Sequence, residues 1–445
     1  MVLIRLIALR LITSLAYLHS AHAHVTLNRQ CWHDYPLLTV QLSCHLNGIH
    51  EMAHPVQTWP KEQEENFPWS HTPICTPSLP SLNSPLCVYT STTFASGRGL
   101  SIFTTPNLAN HFASLPVFHN ASILAEQDIN GDTGTWRTET IPGKGIGMVA
   151  SHTLDFGDRV TSYTPAFLAV LEDELGTLNR EKWWRIAISQ LPDGKDGEES
   201  VKDKFMGLAT VYGDERVKVQ DIVKANTFQL EVQGINHLAV WPETSRLNHD
   251  CGPNAQYVID PTTLTHHVHA TRAIPRGHEI TIAYTSPFDS TADRQSHLSS
   301  FGFTCSCARC TSDPSFSSTT HSSSDRNSNS NPPPNSDPTL SLIHTLQSHL
   351  NDYTPSSPAT PSMAEHLLRL HHEQGLEGFM DMAYGFAALT YSSFGEESKA
   401  REYAARAKRA IEMKDGVWSA NWRVWEAVRR EGVKGHWSWR RRVEG

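Results

Sequence analysis

The chain has 445 residues, and a hydrophobic share of 39% suits two or three globular domains with ordinary cores. Its formal net charge is −9, so the overall charge gives no reason to expect a nucleic-acid-binding surface. We therefore expect no direct binding of DNA or RNA.

Residues 1–23 have the pattern of a secretory signal peptide. An arginine-bearing apolar run ends in Ala21-His22-Ala23, a small-x-small pattern suited to cleavage. This run is too short to span a bilayer comfortably, and no later segment is long and apolar enough, so the sequence predicts a secretory-pathway or secreted protein without a transmembrane segment. Because no acidic residue precedes Asp34, a mitochondrial presequence is the alternative.

Residues 24–129 form a cysteine-containing N-terminal region. Cys31, Cys44, Cys75 and Cys87 are an even set behind a predicted signal peptide, which favours two disulfides whose pairing the sequence leaves open. Four unpaired buried thiols are the alternative. Within this region, β-branched and aromatic residues in the segment 87–103 flank a Gly-Arg-Gly turn and predict a hairpin.

The rest of the chain divides into three zones. Residues 130–312 alternate short strand-like pieces with glycine turns and contain one predicted helical insert at 164–191. Residues 313–338 are a Ser/Asn/Pro-rich linker that is predicted to be disordered, because it lacks the apolar surface needed for folding. Residues 339–445 carry apolar residues at helical spacing and predict a small helical domain.

A C-x-C-x-x-C motif at Cys305, Cys307 and Cys310 predicts a metal site. Three thiolates so close together suit one face of a tetrahedral zinc ion, which needs a fourth ligand from elsewhere. Cys251 is the remaining cysteine in this half of the chain, so we expect zinc to join the segment 303–310 to the turn around Cys251. A redox or disulfide cluster is the alternative in an oxidising compartment.

Four segments of the chain resemble a known enzyme family. The stretches "RLNHDCGPNA" (246–255), "IPRGHEITIAY" (274–284) and "FTCSCARC" (303–310) resemble the carboxy half of SET-domain protein lysine methyltransferases with their cysteine-rich post-SET segment. The stretch "ETIPGKGIGMVASHTLDFGDRV" (139–160) resembles the opening strands of the same domain. The long insert and the helical tail make the chain similar to the SMYD-like branch and to fungal SET proteins, but no MYND finger interrupts the SET region.

The resemblance implies an α+β fold and a methyl-transfer activity. The fold would be a SET-domain β-fold with a helical insert and a zinc-binding post-SET segment, followed by a small α-helical, TPR-like C-terminal domain. The activity would be S-adenosylmethionine-dependent N-methylation of a lysine in a protein or peptide substrate. The alternative is a catalytically inactive SET-fold interaction protein of the secretory pathway, whereas zinc and the methyl donor also suit a nuclear or cytoplasmic enzyme.

The resemblance also implies roles for individual residues. Tyr284 would be the catalytic residue, and Cys251, Cys305, Cys307 and Cys310 would hold zinc. Residues expected at the cofactor are Lys144, Gly145, Ile146, Asn226, Asn248, His249 and Phe303. The sequence departs from the family pattern at His278, where an acid is usual, and at Asp250, where a serine is usual. Ile282 leaves the number of transferred methyl groups open.

Overall fold

The structure is a computed structural model that describes residues 67–194, 197–312, 338–354 and 356–443. The predicted signal peptide, Cys31 and Cys44 lie outside these residues. So does the predicted linker, except for Pro338, where a helix begins. Among the described residues, no helix combines the length and the apolar character that crossing a bilayer requires.

The described strands form three sheets. The strands are β1 (Ile74–Cys75), β2 (Cys87–Ser91), β3 (Leu100–Thr104), β4 (Trp136–Ile141), β5 (Gly145–Ala150), β6 (Arg159–Tyr163), β7 (Phe167–Val170), β8 (Phe228–Val232), β9 (Ile235–Val240), β10 (Asn248–His249), β11 (Ala255–Asp260), β12 (Thr265–Ala270) and β13 (Glu279–Ile282). The sheet orders are β1-β2-β3-β7-β9-β8, β10-β13-β5-β4 and β11-β12-β6.

Helices lie in the N-terminal region, in the stretch between β7 and β8, after β13 and in the C-terminal region. The α-helices are α1 (Pro106–Ala113), α2 (Pro116–His119), α3 (Ser122–Glu126), α4 (Thr177–Ser189), α5 (Val201–Met206), α6 (Lys218–Asn226), α7 (Thr291–Ser299), α8 (Ala308–Thr311), α9 (Pro338–Leu350), α10 (Pro361–Glu373), α11 (Met380–Ser393), α12 (Glu397–Lys414) and α13 (Ala420–Glu431). Short helical turns lie at Phe94–Gly97, Glu215–Val217, Thr244–Arg246, Glu377–Phe379 and Val433–Gly435.

The six-stranded sheet joins the N-terminal region to later strands. β2 and β3 pair antiparallel, which confirms the hairpin predicted for 87–103, and β3 then pairs in parallel with β7. Strands on both sides of residue 130 therefore share one sheet. The described residues contain a disulfide between Cys75 and Cys87, which links β1 to β2.

The helix predicted over 164–191 is wrong in its first part. Phe167–Val170 is a buried strand that lies between β3 and β9. A short run of apolar residues buried on both faces has no alternation, so its periodicity does not distinguish a strand from a helix. The helix itself begins at Thr177, directly after Gly176, and ends at Ser189.

The four-stranded sheet brings distant parts of the sequence side by side. β13 lies between β10, which is parallel to it, and β5, which is antiparallel. The register places Asn248 opposite Thr281 and Ile280 opposite Met148. This sheet packs on a core that includes Leu247, Val268, Ile280 and Ile282.

The C-terminal region is a helical domain, as predicted. α11 packs against α10 and α12, and α13 packs against α12. The facing sides of α11 and α12 are rich in buried alanines, which let helix axes approach closely. These alanines are Ala383, Ala387, Ala400, Ala404 and Ala407.

Candidate functional site

The structure brings together the four cysteines that the sequence predicts as metal ligands. The Sγ atom of Cys251 lies 3.6 Å from that of Cys310 and 4.0 Å from that of Cys305. With Cys307 included, the four sulfur atoms all lie within 4.8 Å of one another. A tetrahedral zinc ion with Zn–S bonds of about 2.3 Å needs sulfur atoms roughly 3.8 Å apart. The cluster is therefore compatible with zinc.

Helix α7 holds the cysteine triplet in place. The backbone N–H of Cys305 donates to Gln295 Oε1 at 2.9 Å, and Gln295 Nε2 donates back to the Cys305 carbonyl at 2.7 Å. Cys307 is the N-terminal flanking residue of α8, and Cys310 lies within that helix. The triplet thus reaches its position through one reciprocal contact and one short helix.

A buried arginine balances the charge of the sulfur cluster. The Arg294 side chain is fully buried, and its Nη2 atom lies 4.0 Å from Cys310 Sγ. Burial opposes the charge on this guanidinium, but the neighbouring Cys251 and Cys310 raise its pKa overall. Hydrogen bonds from the other thiols lower the pKa of Cys307. A zinc ion with four thiolates carries a net negative charge, which Arg294 would offset.

The turn that carries Cys251 is locked beside the end of β13. Asp250 N–H donates to the Ile282 carbonyl at 3.0 Å, and Tyr284 N–H donates to His249 Nδ1 at 2.9 Å. Burial lowers the pKa of His249 to about 4, so its ring is neutral at pH 7. Because Nδ1 accepts a hydrogen bond, the ring proton resides on Nε2, which lies 3.2 Å from Cys251 Sγ. One imidazole therefore connects the end of β13 to the cysteine cluster.

Asn254 also holds the Cys251 turn against β13. Its Nδ2 atom donates to the Glu279 carbonyl at 2.8 Å, and its Oδ1 atom accepts from Thr281 N–H at 2.8 Å. The side-chain amide therefore takes the place of a strand partner for β13. The role of Asn254 is not apparent from the sequence, although the residue lies inside the motif at 246–255.

Glu279 connects two of the predicted cofactor residues. Its Oε2 atom accepts from Lys144 Nζ at 2.7 Å, and its Oε1 atom accepts from Asn248 Nδ2 at 2.9 Å. The carboxylate thus fixes the ammonium and the amide at one edge of the four-stranded sheet. Glu279 is not among the site residues predicted from the sequence. Its contacts with Lys144 and Asn248 join residues that are far apart in the sequence, so only the folded structure shows them.

Two glycines within β5 are needed for different reasons. A Cβ atom at Gly147 would lie 2.6 Å from Ile141 Cγ1 and 2.7 Å from Asn248 Nδ2, so the packing requires glycine. A Cβ atom at Gly145 would have no heavy atom within 4 Å, but the φ of this residue is +78°, a conformation that favours glycine. With Ile146 half exposed, the backbone at 145–146 is open beside the Lys144–Glu279–Asn248 group.

Asn226 joins helix α6 to the segment that leads into β10. It is buried at the end of α6, where its Nδ2 atom donates to the carbonyls of Ala209 at 2.8 Å and Ile222 at 2.7 Å. Its own carbonyl accepts from the Ser245 hydroxyl at 3.1 Å. Its amide protons therefore serve the backbone, and its carbonyl holds the segment that leads into β10.

Tyr284 lies at the centre of an aromatic group. Its hydroxyl donates to the Leu247 carbonyl at 2.6 Å. Its ring centroid lies 5.4 Å from that of His249, 5.5 Å from that of Phe301 and 6.3 Å from that of Phe303. Burial raises the pKa of the Tyr284 phenol, and the nearby Glu279 carboxylate adds to this effect. The phenol is therefore a fixed, protonated hydrogen-bond donor at neutral pH.

The helical domain contacts the Cys251 turn through two arginines. Arg272 donates to the carbonyls of Gly252 and Pro253 at 2.8 and 2.7 Å and to Glu377 Oε2 at 2.8 Å. Arg309 donates to the Cys251 carbonyl at 2.6 Å and to Gln374 Oε1 at 3.2 Å. The turn after α10 therefore supports the loop that carries a predicted zinc ligand.

A SET domain family model matches residues 145–285, which include the glycine turn, the Asn248–Cys251 segment and Tyr284. The chain is 30% identical over 181 residues to the histone-lysine N-methyltransferase set5 of Schizosaccharomyces pombe, which covers 40% of this chain and 51% of that protein. It is 32% identical over 126 residues to a SET and MYND domain-containing protein of Dictyostelium discoideum. That match covers 26% of this chain and 35% of the Dictyostelium protein. It is 34% identical over 92 residues to the N-lysine methyltransferase SMYD2 of Homo sapiens. That match covers 20% of this chain and 21% of the human protein.

The chain thus spans about half the length, or less, of these curated relatives. The residues that the family model matches include β5, β10 and β13, which lie in one sheet. The chain therefore contains a SET domain in residues 145–285, and two of these three relatives are named as lysine methyltransferases.

Proposed function

We propose that this protein is an S-adenosylmethionine-dependent protein lysine N-methyltransferase. The observation that carries the proposal is the convergence of Tyr284, His249 and Phe303 beside the thiol cluster. The similarity to proteins named as lysine methyltransferases supports the same reaction. We propose a lysine side chain of a protein or peptide as the methyl acceptor.

The residues at the edge of the four-stranded sheet suit this cofactor. When bound, S-adenosylmethionine supplies a methyl group on a sulfonium centre. The Lys144 ammonium is a cation for a carboxylate, and the open backbone at Gly145 and Ile146 offers polar groups. Asn248 is held next to them, and the ring of Phe303 offers an apolar platform for a purine.

Tyr284 is proposed to position the acceptor amine. Transfer to an amine requires alignment of the reacting atoms more than proton abstraction by a strong base. The protonated Tyr284 hydroxyl and the Leu247 carbonyl that it binds present a fixed pair of polar groups. Burial favours the neutral form of a lysine amine that enters such an apolar site, so solvent can accept its proton beforehand.

The four cysteines are proposed to hold a structural zinc ion. Phe303 precedes Cys305 by two residues, and Cys251 follows His249 by two residues. A metal ion that joins these cysteines would therefore order an aromatic ring and an imidazole of the cofactor site together.

The substitution Tyr284→Phe tests the catalytic role. It removes the hydroxyl but keeps the ring, so we expect S-adenosylmethionine affinity within about twofold of wild type and turnover lowered roughly 100-fold. Calorimetry would measure cofactor binding, and transfer of labelled methyl groups to a lysine-peptide array would measure turnover.

Tyr212→Phe is the matched control, because Tyr212 is 71% exposed on the insert and should tolerate the same change. The proposal fails if the zinc-loaded wild-type protein does not bind S-adenosylmethionine. The role of Tyr284 fails if Tyr284→Phe turns over at the wild-type rate.

A further inference from the structure

A second candidate site lies at the seam between the SET domain and the helical domain. A cavity of about 450 Å³ is bounded by Gln256 on β11 and Thr271 after β12 on one side, and by residues of α11 and α12 on the other. None of the residues that line it belongs to the aromatic group or to the thiol cluster. Its volume falls within the range of roughly 300–1,000 Å³ typical of small-molecule sites.

The interior of the cavity is mainly apolar. Met380, Met413, Ala405 and Ala410 line it from the helices, and the ring of Phe156 lines it from the SET side. A peptide backbone placed against these apolar side chains would leave its N–H and C=O groups without partners there, which is costly. A hydrocarbon chain carries no such groups, and methionine side chains adapt readily to its shape. The interior therefore favours an acyl chain over a peptide.

The charged residues at the cavity favour an anion. Arg406 and Arg409 both line it from α12. Arg406 pairs with Glu402 at 2.8 Å, whereas Arg409 is 59% exposed in its side chain and lies 3.7 Å from Glu412. Among the described residues that line the cavity, the one carboxylate is that of Glu377, which Arg272 already binds at 2.8 Å. The loosely paired Arg409 is thus available to a ligand.

We propose that this cavity binds an amphipathic carboxylate of small size, with an unbranched acyl chain in the apolar interior and its carboxylate at Arg409 and Arg406. Each half of the ligand matches one half of the lining: the chain matches the methionines and alanines, and the head group matches the guanidiniums. This site is separate from the proposed methyl transfer and does not depend on it.

Titration of the full-length, zinc-loaded protein with sodium decanoate tests the site. We expect saturable binding with one decanoate per chain by calorimetry, and a rise in melting temperature with decanoate concentration. Decyltrimethylammonium has the same chain length and the opposite charge, so it should not bind. Equal binding of both probes, or no saturable binding of decanoate, would overturn the proposal.

Three variants locate the binding on the protein. Arg409→Gln should weaken decanoate binding about tenfold, while Arg401→Gln on the same helix should leave it unchanged, because Arg401 does not line the cavity. Ala405→Trp should abolish binding by filling the cavity, and its exposed position lets the helix form as before. A melting temperature near that of wild type would show that this variant folds. Wild-type decanoate affinity in folded Ala405→Trp, or equal losses in the two arginine variants, would contradict the assignment.

Discussion

At the scale of single residues, the edge of the four-stranded sheet proposed to bind the cofactor depends on close packing around one carboxylate. Glu279 holds Lys144 and Asn248 at hydrogen-bond distance, and the absence of a side chain at Gly147 makes room for this group. A Cβ atom at Gly147 would meet a strand side chain and the Asn248 amide at the same time, so neither neighbour is free to yield. The geometry of the edge should therefore be sensitive to one methyl group.

Gly147→Ala should damage cofactor binding and fold together. Overpacking of this kind costs about 1–3 kcal/mol of unfolding free energy, and displacement of Asn248 should weaken S-adenosylmethionine binding at least about tenfold. Urea denaturation and calorimetry would measure the two effects. Gly435→Ala is the control, because a Cβ atom there meets nothing within 4 Å. Wild-type cofactor affinity in Gly147→Ala would refute the importance of this packing.

Some site residues could be predicted because their spacing in the sequence indicates their role, and others could not. The cysteine triplet could be predicted because the spacing of its thiolates is itself the requirement for a metal face. Glu279 and Arg294 were missed because their partners are far away in the sequence. Glu279 binds Lys144 across the sheet, and the position of Arg294 beside Cys310 depends on how α7 packs.

At the scale of elements, two turns from different domains support each other. The turn Cys251–Pro253 presents its carbonyls to Arg272 and Arg309, and both arginines also bind the turn after α10. A Cβ atom at Gly252 would lie 3.0 Å from the Gln374 carbonyl, which shows how closely the two turns approach. The helical domain therefore contributes to the position of the turn that carries Cys251.

Arg272→Gln should loosen this contact between domains. We expect unfolding free energy to fall by about 1–3 kcal/mol, because hydrogen bonds to a charged group and one ion pair are lost. A double-mutant cycle with Glu377→Gln, followed by urea denaturation, should give a coupling energy of about 0.5–3 kcal/mol. Arg276→Gln, at an exposed position nearby, should have little effect. Strict additivity of the Arg272 and Glu377 changes would show that their ion pair contributes nothing.

Elements were predictable where their pattern is regular over many residues. The helical spacing after residue 338 extends over several helices, and the structure confirms it. Phe167–Val170 was misassigned because a four-residue apolar run fits a buried strand and a helix equally well. Its place in the sheet depends on pairing with β3 and β9. Both strands are distant in the sequence, and no local sequence pattern indicates that they pair with it.

At the scale of the whole molecule, distant segments meet around the SET domain. The N-terminal hairpin extends its six-stranded sheet, the insert ends at Asn226 beside the β10 segment, and the helical domain supports the Cys251 turn. Sequence motifs could predict the SET core, but these contacts between distant segments depend on the tertiary structure. The four-cysteine cluster is the point at which the Cys251 turn meets the segment 303–310.

Calorimetric titration with S-adenosylmethionine before and after metal removal tests this joining most directly. We predict one zinc ion per chain in the reduced protein, loss of cofactor binding after chelation, and recovery of binding when zinc is restored. Circular dichroism in the same samples would show whether the rest of the chain stays folded. Unchanged cofactor affinity in the folded, metal-free protein would contradict the claim that zinc holds the cofactor site together.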